Sequence, residues 1–186
     1  DMISATFHTV KEILDKSQIP FEIIFVDDGS GDLTYENIVN LSQNHPEVKG
    51  ISFSRNFGKE SAIFAGLTEA KGDCCVIMDC DLQHPPATIV EMYRLWTEGY
   101  EVVEGVKASR GKENPLHTFC ANGFYSIISR LTGIDMANAS DFKLLDRQAV
   151  DASLEMPERA PFFRALSSWI GFQTCQVPFE VQERTV

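Results

Sequence analysis

The stretch Cys74-Cys75-Val76-Ile77-Met78-Asp79-Cys80-Asp81 joins five apolar residues directly to two aspartates that are separated by one residue. A short, continuous apolar run of this kind is typical of a strand that is buried on both faces of a sheet. The aspartates mark the end of the strand, because charged residues are rarely buried in such a core. We therefore expect a buried strand that leads into a polar loop.

Helical and strand patterns alternate on both sides of this stretch. Strands that alternate with helices predict an α/β fold, in which a mostly parallel central sheet is flanked by helices and joined by right-handed crossovers. The strands are expected at residues 21–26, 48–53, 74–78, 101–103, 142–145 and 175–181, and the helices at 3–14, 34–42, 61–70, 85–96, 116–131 and 162–170.

Composition indicates one globular domain over residues 1–186, with 44% hydrophobic and 23% charged residues. The chain carries 16 Lys and Arg against 27 Asp and Glu, a net charge of −11, which argues against nucleic acid as a partner. No apolar run reaches the roughly 20 residues that cross a bilayer. Five cysteines without a disulfide framework indicate a reducing compartment and packing roles.

Acidic residues follow two of the predicted strands, and this places them where open parallel sheets bind ligands. Asp27 and Asp28 close the first strand, and Asp79 and Asp81 close the third, followed by Gln83. Two carboxylates with this spacing suit a divalent cation with hard oxygen ligands, Mg²⁺ or Mn²⁺. The alternative is that these aspartates cap helices and turns. A phosphatase with an Asp-x-Asp motif is disfavoured, because Gln83 stands where its motif carries Thr or Val.

Four ordered motifs complete the pattern: Phe25–Ser30, Ser54–Glu60, Met78–Pro86 and Ser140–Arg147. Together they resemble the family 2 inverting glycosyltransferases. The chain is most similar to the branch that transfers sugars to polyprenyl phosphates, the relatives of dolichyl-phosphate mannosyltransferase and bactoprenol glucosyltransferases. The resemblance implies the GT-A fold, which is Rossmann-like, a nucleotide-sugar donor and a polyprenyl-phosphate acceptor.

On the donor side, the resemblance implies that Asp28 accepts a hydrogen bond from the uracil or guanine base, near the Val26 backbone. The segment from Asp79 through Cys80 to Asp81 would contact the nucleotide sugar. Asp79, Asp81 and Gln83 would bind the metal, which bridges the donor phosphates.

Two cations and one more carboxylate follow from the same resemblance. Lys107 and Arg184 would face the donor phosphates, and Asp141 would position or deprotonate the acceptor. The roles of Arg55 and Lys59, beside a glycine-containing loop, remain open between phosphate contact and a solvated or helix-dipole position.

The relatives also carry segments that this sequence does not contain. We expect that the first strand of the domain and a membrane segment after Val186 are absent. The chain would then be a soluble fragment of a longer protein that works at the cytoplasmic face of a membrane.

The expected reaction is metal-dependent transfer of a sugar from a UDP- or GDP-sugar to a polyprenyl phosphate, with inversion. Transfer to a saccharide or protein hydroxyl is the alternative within the enzyme class. A non-catalytic nucleotide-sugar-binding module is the alternative outside it. The sequence leaves the sugar and the assembly state open, homo-oligomers included.

Overall fold

The computed structural model describes residues 1–108, 140–156, 163 and 171–182. Five helices and six strands lie in these ranges, and they confirm the α/β class. The helices are α1 (Met2–Lys16), α2 (Thr34–Asn44), α3 (Lys59–Glu69), α4 (Ala87–Thr97) and α5 (Arg147–Leu154). The strands are β1 (Ile23–Asp27), β2 (Val48–Ser52), β3 (Cys74–Ile77), β4 (Val102–Lys107), β5 (Lys143–Asp146) and β6 (Thr174–Phe179). The helices expected at 116–131 and 162–170 lie outside the described residues, apart from residue 163.

The strands form a parallel pair, β1–β2, and a four-stranded sheet in the order β3-β5-β4-β6. Within the larger sheet, β4 and β6 are parallel, whereas β5 runs antiparallel to both β3 and β4. This sheet is therefore mixed: β3, β4 and β6 point in one direction, and β5 is reversed. Because β3 and β4 both run opposite to β5, they point in the same direction, and their carboxyl ends lie at one edge of the sheet.

The four-stranded sheet is covered on both faces. Neighbouring residues of a strand alternate between the faces, so Leu144 packs in one apolar cluster and Leu145 in another. The first cluster includes residues of α1 and α4, and the second includes residues of α3 and α5. A third cluster joins α1 and α2 to the β1–β2 pair, through Ile3, Phe7, Phe25, Ile38, Leu41 and Val48.

A buried ion pair links two neighbouring strands of the four-stranded sheet. Lys143 on β5 lies opposite Glu104 on β4, and its Nζ donates to Glu104 Oε1 at 2.7 Å. Lys143 has no exposed surface, and Glu104 is 5% exposed. The Lys143 ammonium also lies over the ring of Phe163, 5.8 Å from its centroid. Both charges lie in the core, and each depends on its surroundings for the solvation that water would otherwise provide.

Replacing Lys143 with Met is expected to lower the free energy of unfolding by about 3 kcal/mol, near the lower end for breaking a buried pair. The loss arises because the Glu104 carboxylate stays buried without its main cation. Urea unfolding measures it. The double variant with Glu104→Leu is expected to recover most of the stability, since neither charge then remains. A loss below about 1 kcal/mol, the range of a surface pair, would show that the pair contributes little.

Candidate functional site

Two of the candidate carboxylates, Asp79 and Asp141, lie close together at the edge of the sheet where β3 ends. Ile77 on β3 pairs with Lys143 on the antiparallel strand β5. Two residues beyond Ile77 is Asp79, and two residues before Lys143 is Asp141. The strand pairing therefore brings a donor-side and an acceptor-side candidate to the same place, although they are far apart in the sequence. Lys107, the last residue of β4, is exposed at this same edge.

Lys59 joins these two carboxylates directly. Its Nζ lies 2.7 Å from Asp79 Oδ1 and 2.8 Å from Asp141 Oδ2, and it also donates to Asp79 Oδ2 at 3.0 Å. Partial burial disfavours the charged form of Lys59. The hydrogen bonds and charges of Asp141 and Asp79 outweigh that effect and raise the pKa of Lys59 above its usual value.

Asp141 is almost fully buried, with 6% of its surface exposed. The residues that begin α5 after Asp141 have partners of their own. The N-cap of α5 is Asp146, whose Oδ1 accepts from Gln148 N at 2.8 Å. The Arg147 side chain donates instead to the carbonyl oxygens of Ala70 and Gly72 and pairs with Asp151. Asp141 therefore faces Lys59 and the end of β3.

The loop after β3 is held by its own residues. Asp81 Oδ1 accepts from Gln83 N at 3.1 Å, and Leu82 between them has a positive φ of 57°. The Cys80 thiol contacts the hydroxyl of Thr6 on α1 at 3.5 Å, so this side chain serves packing. The predicted contact of Cys80 with the nucleotide sugar stays a prediction.

Asp28 lies just beyond β1, and its carboxylate holds the loop that precedes α3. The two oxygens accept from Phe57 N at 2.7 Å and Gly58 N at 2.9 Å. The backbone of Gly29, just after Asp28, also passes close to the backbone of Arg55 in this loop. A Cβ on Gly29, whose φ is +73°, would lie 2.4 Å from the carbonyl carbon of Arg55. Val26 lies within β1, half-buried and paired with Ile51.

The Asp28 hydrogen bonds link the end of β1 to Lys59. A carboxylate has about four acceptor positions, and the two backbone N–H groups occupy two of them. Accepting a further bond from a nucleotide base is therefore compatible with this anchoring. The sequence did not reveal the anchor, because its partners lie about thirty residues away.

Asp28→Ala is expected to lower the free energy of unfolding by about 1.5–3 kcal/mol, the range for hydrogen bonds to a charged group. The reason is that two backbone N–H groups of the loop lose their acceptor. Urea unfolding measures the loss. Asp15→Ala, which removes an exposed carboxylate paired with Lys11 on α1, is the control, and we expect it to cost less than about 1 kcal/mol. Equal stabilities of the two variants would exclude the anchoring role.

His84 lies in the loop after β3, among the charged residues of the site. Burial lowers the pKa of His84; Asp79 and Asp81 oppose this shift, and Lys59 and Lys107 add to it. Its ring stacks on Phe142 with 4.8 Å between centroids, and its buried Nδ1 has no hydrogen-bond partner among the described residues. Lys107 lies exposed at the end of β4, and its role toward the donor phosphates stays a prediction. Arg184, the other predicted phosphate contact, lies outside the described residues.

The donor set at the end of β3 fits a divalent cation in its chemistry. Asp79 and Asp81 supply carboxylate oxygens, Gln83 carries an amide oxygen, and the donor phosphates would supply the remaining oxygen ligands. The Lys59 ammonium already lies against Asp79, so this position attracts positive charge. Within the described ranges, no three His, Cys, Asp or Glu residues are grouped closely enough to hold a metal. The described residues therefore supply only part of a coordination shell.

Four of the five cysteines lie in the described part of the chain, and all four are free. Burial raises the pKa of each thiol, and for Cys74 it does so to about 12. A raised pKa favours the protonated thiol over the reactive thiolate. In the same part of the chain, no helix has the length and apolar character needed to cross a membrane.

Comparison with known sequences finds a matching family model and similar proteins. The family model described as glycosyl transferase family 2 matches residues 1–153. The uncharacterized glycosyltransferase YkcC of Bacillus subtilis (strain 168) is 41% identical over 98% of this chain and 57% of its own length. The bactoprenol glucosyl transferase of Shigella phage SfV is 36% identical over 99% of this chain and 60% of its own length. The chain thus spans about three fifths of these relatives.

Solved structures show the same fold. Mannosyl-3-phosphoglycerate synthase from Rubrobacter xylanophilus superposes with a TM-score of 0.61 at 17% identity, covering 99% of this chain and 63% of its own. The mannosyltransferase PcManGT from Pyrobaculum calidifontis, in complex with GDP-Man and Mn²⁺, has a TM-score of 0.57 at 18% identity, covering 91% of this chain and 51% of its own. At these identities, the comparison establishes the GT-A fold.

Proposed function

The chain belongs to glycosyl transferase family 2 and is a glycosyltransferase domain; from this premise we propose that it transfers a sugar from a UDP- or GDP-sugar to a polyprenyl phosphate. The proposed transfer depends on Mg²⁺ or Mn²⁺ and inverts the anomeric configuration. The observation that carries the proposal is the 36% identity to bactoprenol glucosyl transferases over 99% of the chain. The convergence of Asp79 and Asp141 on Lys59 supports it.

On the donor side, Asp79, Asp81 and Gln83 would hold the divalent cation. When bound, that cation would stabilise the negative charge on the departing nucleoside diphosphate. Lys107 would add positive charge beside the phosphates at the same edge of the sheet. Asp28 would accept from the base through the acceptor positions that Phe57 and Gly58 leave open.

On the acceptor side, Asp141 would orient the polyprenyl phosphate. A phosphate oxygen forms the new bond to the anomeric carbon as the bond from that carbon to the donor diphosphate breaks. The nucleoside diphosphate leaves with the electron pair. Because a phosphate acceptor is already ionised near neutral pH, no proton has to be removed before attack. Asp141 would therefore act mainly through position.

A polyprenyl acceptor requires the protein to work at a membrane surface. We place that surface on the cytoplasmic side, since the free thiols of the described residues suit a reducing compartment.

The full-length protein with Mn²⁺ tests the proposal through release of nucleoside diphosphate. Undecaprenyl phosphate, the matching polyprenol and simple saccharides serve as acceptors. We expect release only with the phosphate acceptor and a rate that changes little between pH 7 and pH 8. A rate that rises steeply with pH and needs a hydroxyl acceptor would support the alternative reaction, which requires a base. Donor binding without turnover on any acceptor would support a binding module.

A further inference from the structure

We propose that Lys59 binds the phosphate of the acceptor, an assignment that rests on the proposed function. Among the described residues, the Lys59 ammonium touches both Asp79 on the donor side and Asp141 on the acceptor side. The two carboxylates would repel an anionic acceptor unless a nearby cation offset their charge. Lys59 contacts both carboxylates and supplies that positive charge.

The location of Lys59 in its helix supports a role beyond helix stability. Lys59 is the first residue of α3, where the positive end of the helix dipole disfavours a cation. The helix dipole therefore does not explain a lysine here. Its side chain is also 45% exposed, so a ligand can reach it from solvent.

The two partners of Lys59 differ in their surroundings. The Asp141 side chain is 7% exposed, whereas that of Asp79 is 41% exposed. A divalent cation bound to Asp79 would weaken the attraction of Asp79 for Lys59, while the buried Asp141 would still bind Lys59. An ammonium has three N–H donors, so Lys59 can remain on Asp141 and turn a donor to a phosphate oxygen. Asp141 would thereby position the acceptor through Lys59.

The test compares Lys59→Met and Lys59→Arg with the wild type in the full-length protein. Lys16→Met is the matched control, because Lys16 is an exposed lysine on α1 that pairs only with Glu12 among the described residues. The KM for undecaprenyl phosphate is measured at saturating donor. Donor affinity is measured separately by calorimetry with UDP and Mn²⁺, and the melting temperature reports whether each variant folds.

For Lys59→Met, we expect a KM for undecaprenyl phosphate that is about 10-fold to 100-fold higher, the loss of a charge-assisted hydrogen bond. The affinity for UDP with Mn²⁺ should change less than about threefold. Lys59→Arg keeps the charge and should recover part of the acceptor affinity, and it carries the test if Lys59→Met does not fold. Lys16→Met should match the wild type.

Two results would overturn the assignment, and they differ from failure of the proposed function. If Lys59→Met folds and its KM for undecaprenyl phosphate is unchanged, the ion pairs of Lys59 serve structure and not acceptor binding. Weaker UDP binding at an unchanged acceptor KM would assign Lys59 to the donor. A wild-type protein that transfers only to hydroxyl acceptors would refute the proposed function itself, and the acceptor-phosphate role with it.

Discussion

Asp81→Asn is expected to lower metal-dependent turnover by about 10³-fold or more while the domain stays folded. The amide keeps the size of the side chain and an oxygen that can accept from Gln83 N, but it removes one of two anionic ligands for the cation. Metal stabilisation of a leaving diphosphate amounts to several kcal/mol, which corresponds to a rate change of this order. Steady-state kinetics measures turnover, and calorimetry with UDP and Mn²⁺ measures the loss of donor affinity.

The control for Asp81→Asn is Asp73→Asn, the same change at an exposed aspartate just before β3. Asp73 lies at the opposite end of the strand, so its loss should leave Mn²⁺-dependent binding of UDP intact. If Asp81→Asn binds UDP with Mn²⁺ as tightly as the wild type, the assignment of the metal to the end of β3 is wrong.

Asp141→Asn in the full-length enzyme is expected to lower kcat by about 10²–10⁴-fold, the scale of a positioned acid–base group. Donor affinity should change little, because the proposed role of Asp141, which contacts Lys59, is to position the acceptor. With a phosphate acceptor, the fall should lie near the lower end of this range, since orientation is lost and no proton transfer is required. Single-turnover kinetics with saturating donor and acceptor measures the chemical step.

Asp151→Asn is the matched control, because Asp151 is an exposed aspartate on α5 that pairs with Arg147 at 3.4 Å. It should leave kcat unchanged. Normal turnover by a folded Asp141→Asn would remove Asp141 from the reaction. The account would then lack an acceptor-side carboxylate.

The strand ends that carry Asp28 and Asp79 could be predicted from the sequence, because each follows a short apolar run and the pattern is local. Secondary structure was predicted well for the same reason: β3 was expected at 74–78 and lies at Cys74–Ile77. The direction of β5 was not predicted. It depends on pairing with β3 and β4, which lie far away in sequence, and no local pattern records that pairing.

The contacts of the charged side chains could not be predicted from the sequence either. The sequence does not decide between the two roles of Lys59, because its partners, Asp79 and Asp141, lie 20 and 82 residues away. Lys143 reads as a polar interruption of a short strand, yet it is fully buried against Glu104. Helix α5 was not expected, since its eight residues are too short for a clear helical pattern.

Transfer of labelled sugar into lipid tests the central claim most directly. The full-length protein is incubated with Mn²⁺, undecaprenyl phosphate and either UDP-glucose or GDP-mannose labelled in the sugar, and the lipid is extracted. The account predicts that label from one of these donors enters the lipid as an acid-labile glycosyl phosphate of inverted configuration, and only when the metal and the phosphate acceptor are both present. Label that appears on saccharide or protein while the lipid remains unlabelled would contradict it.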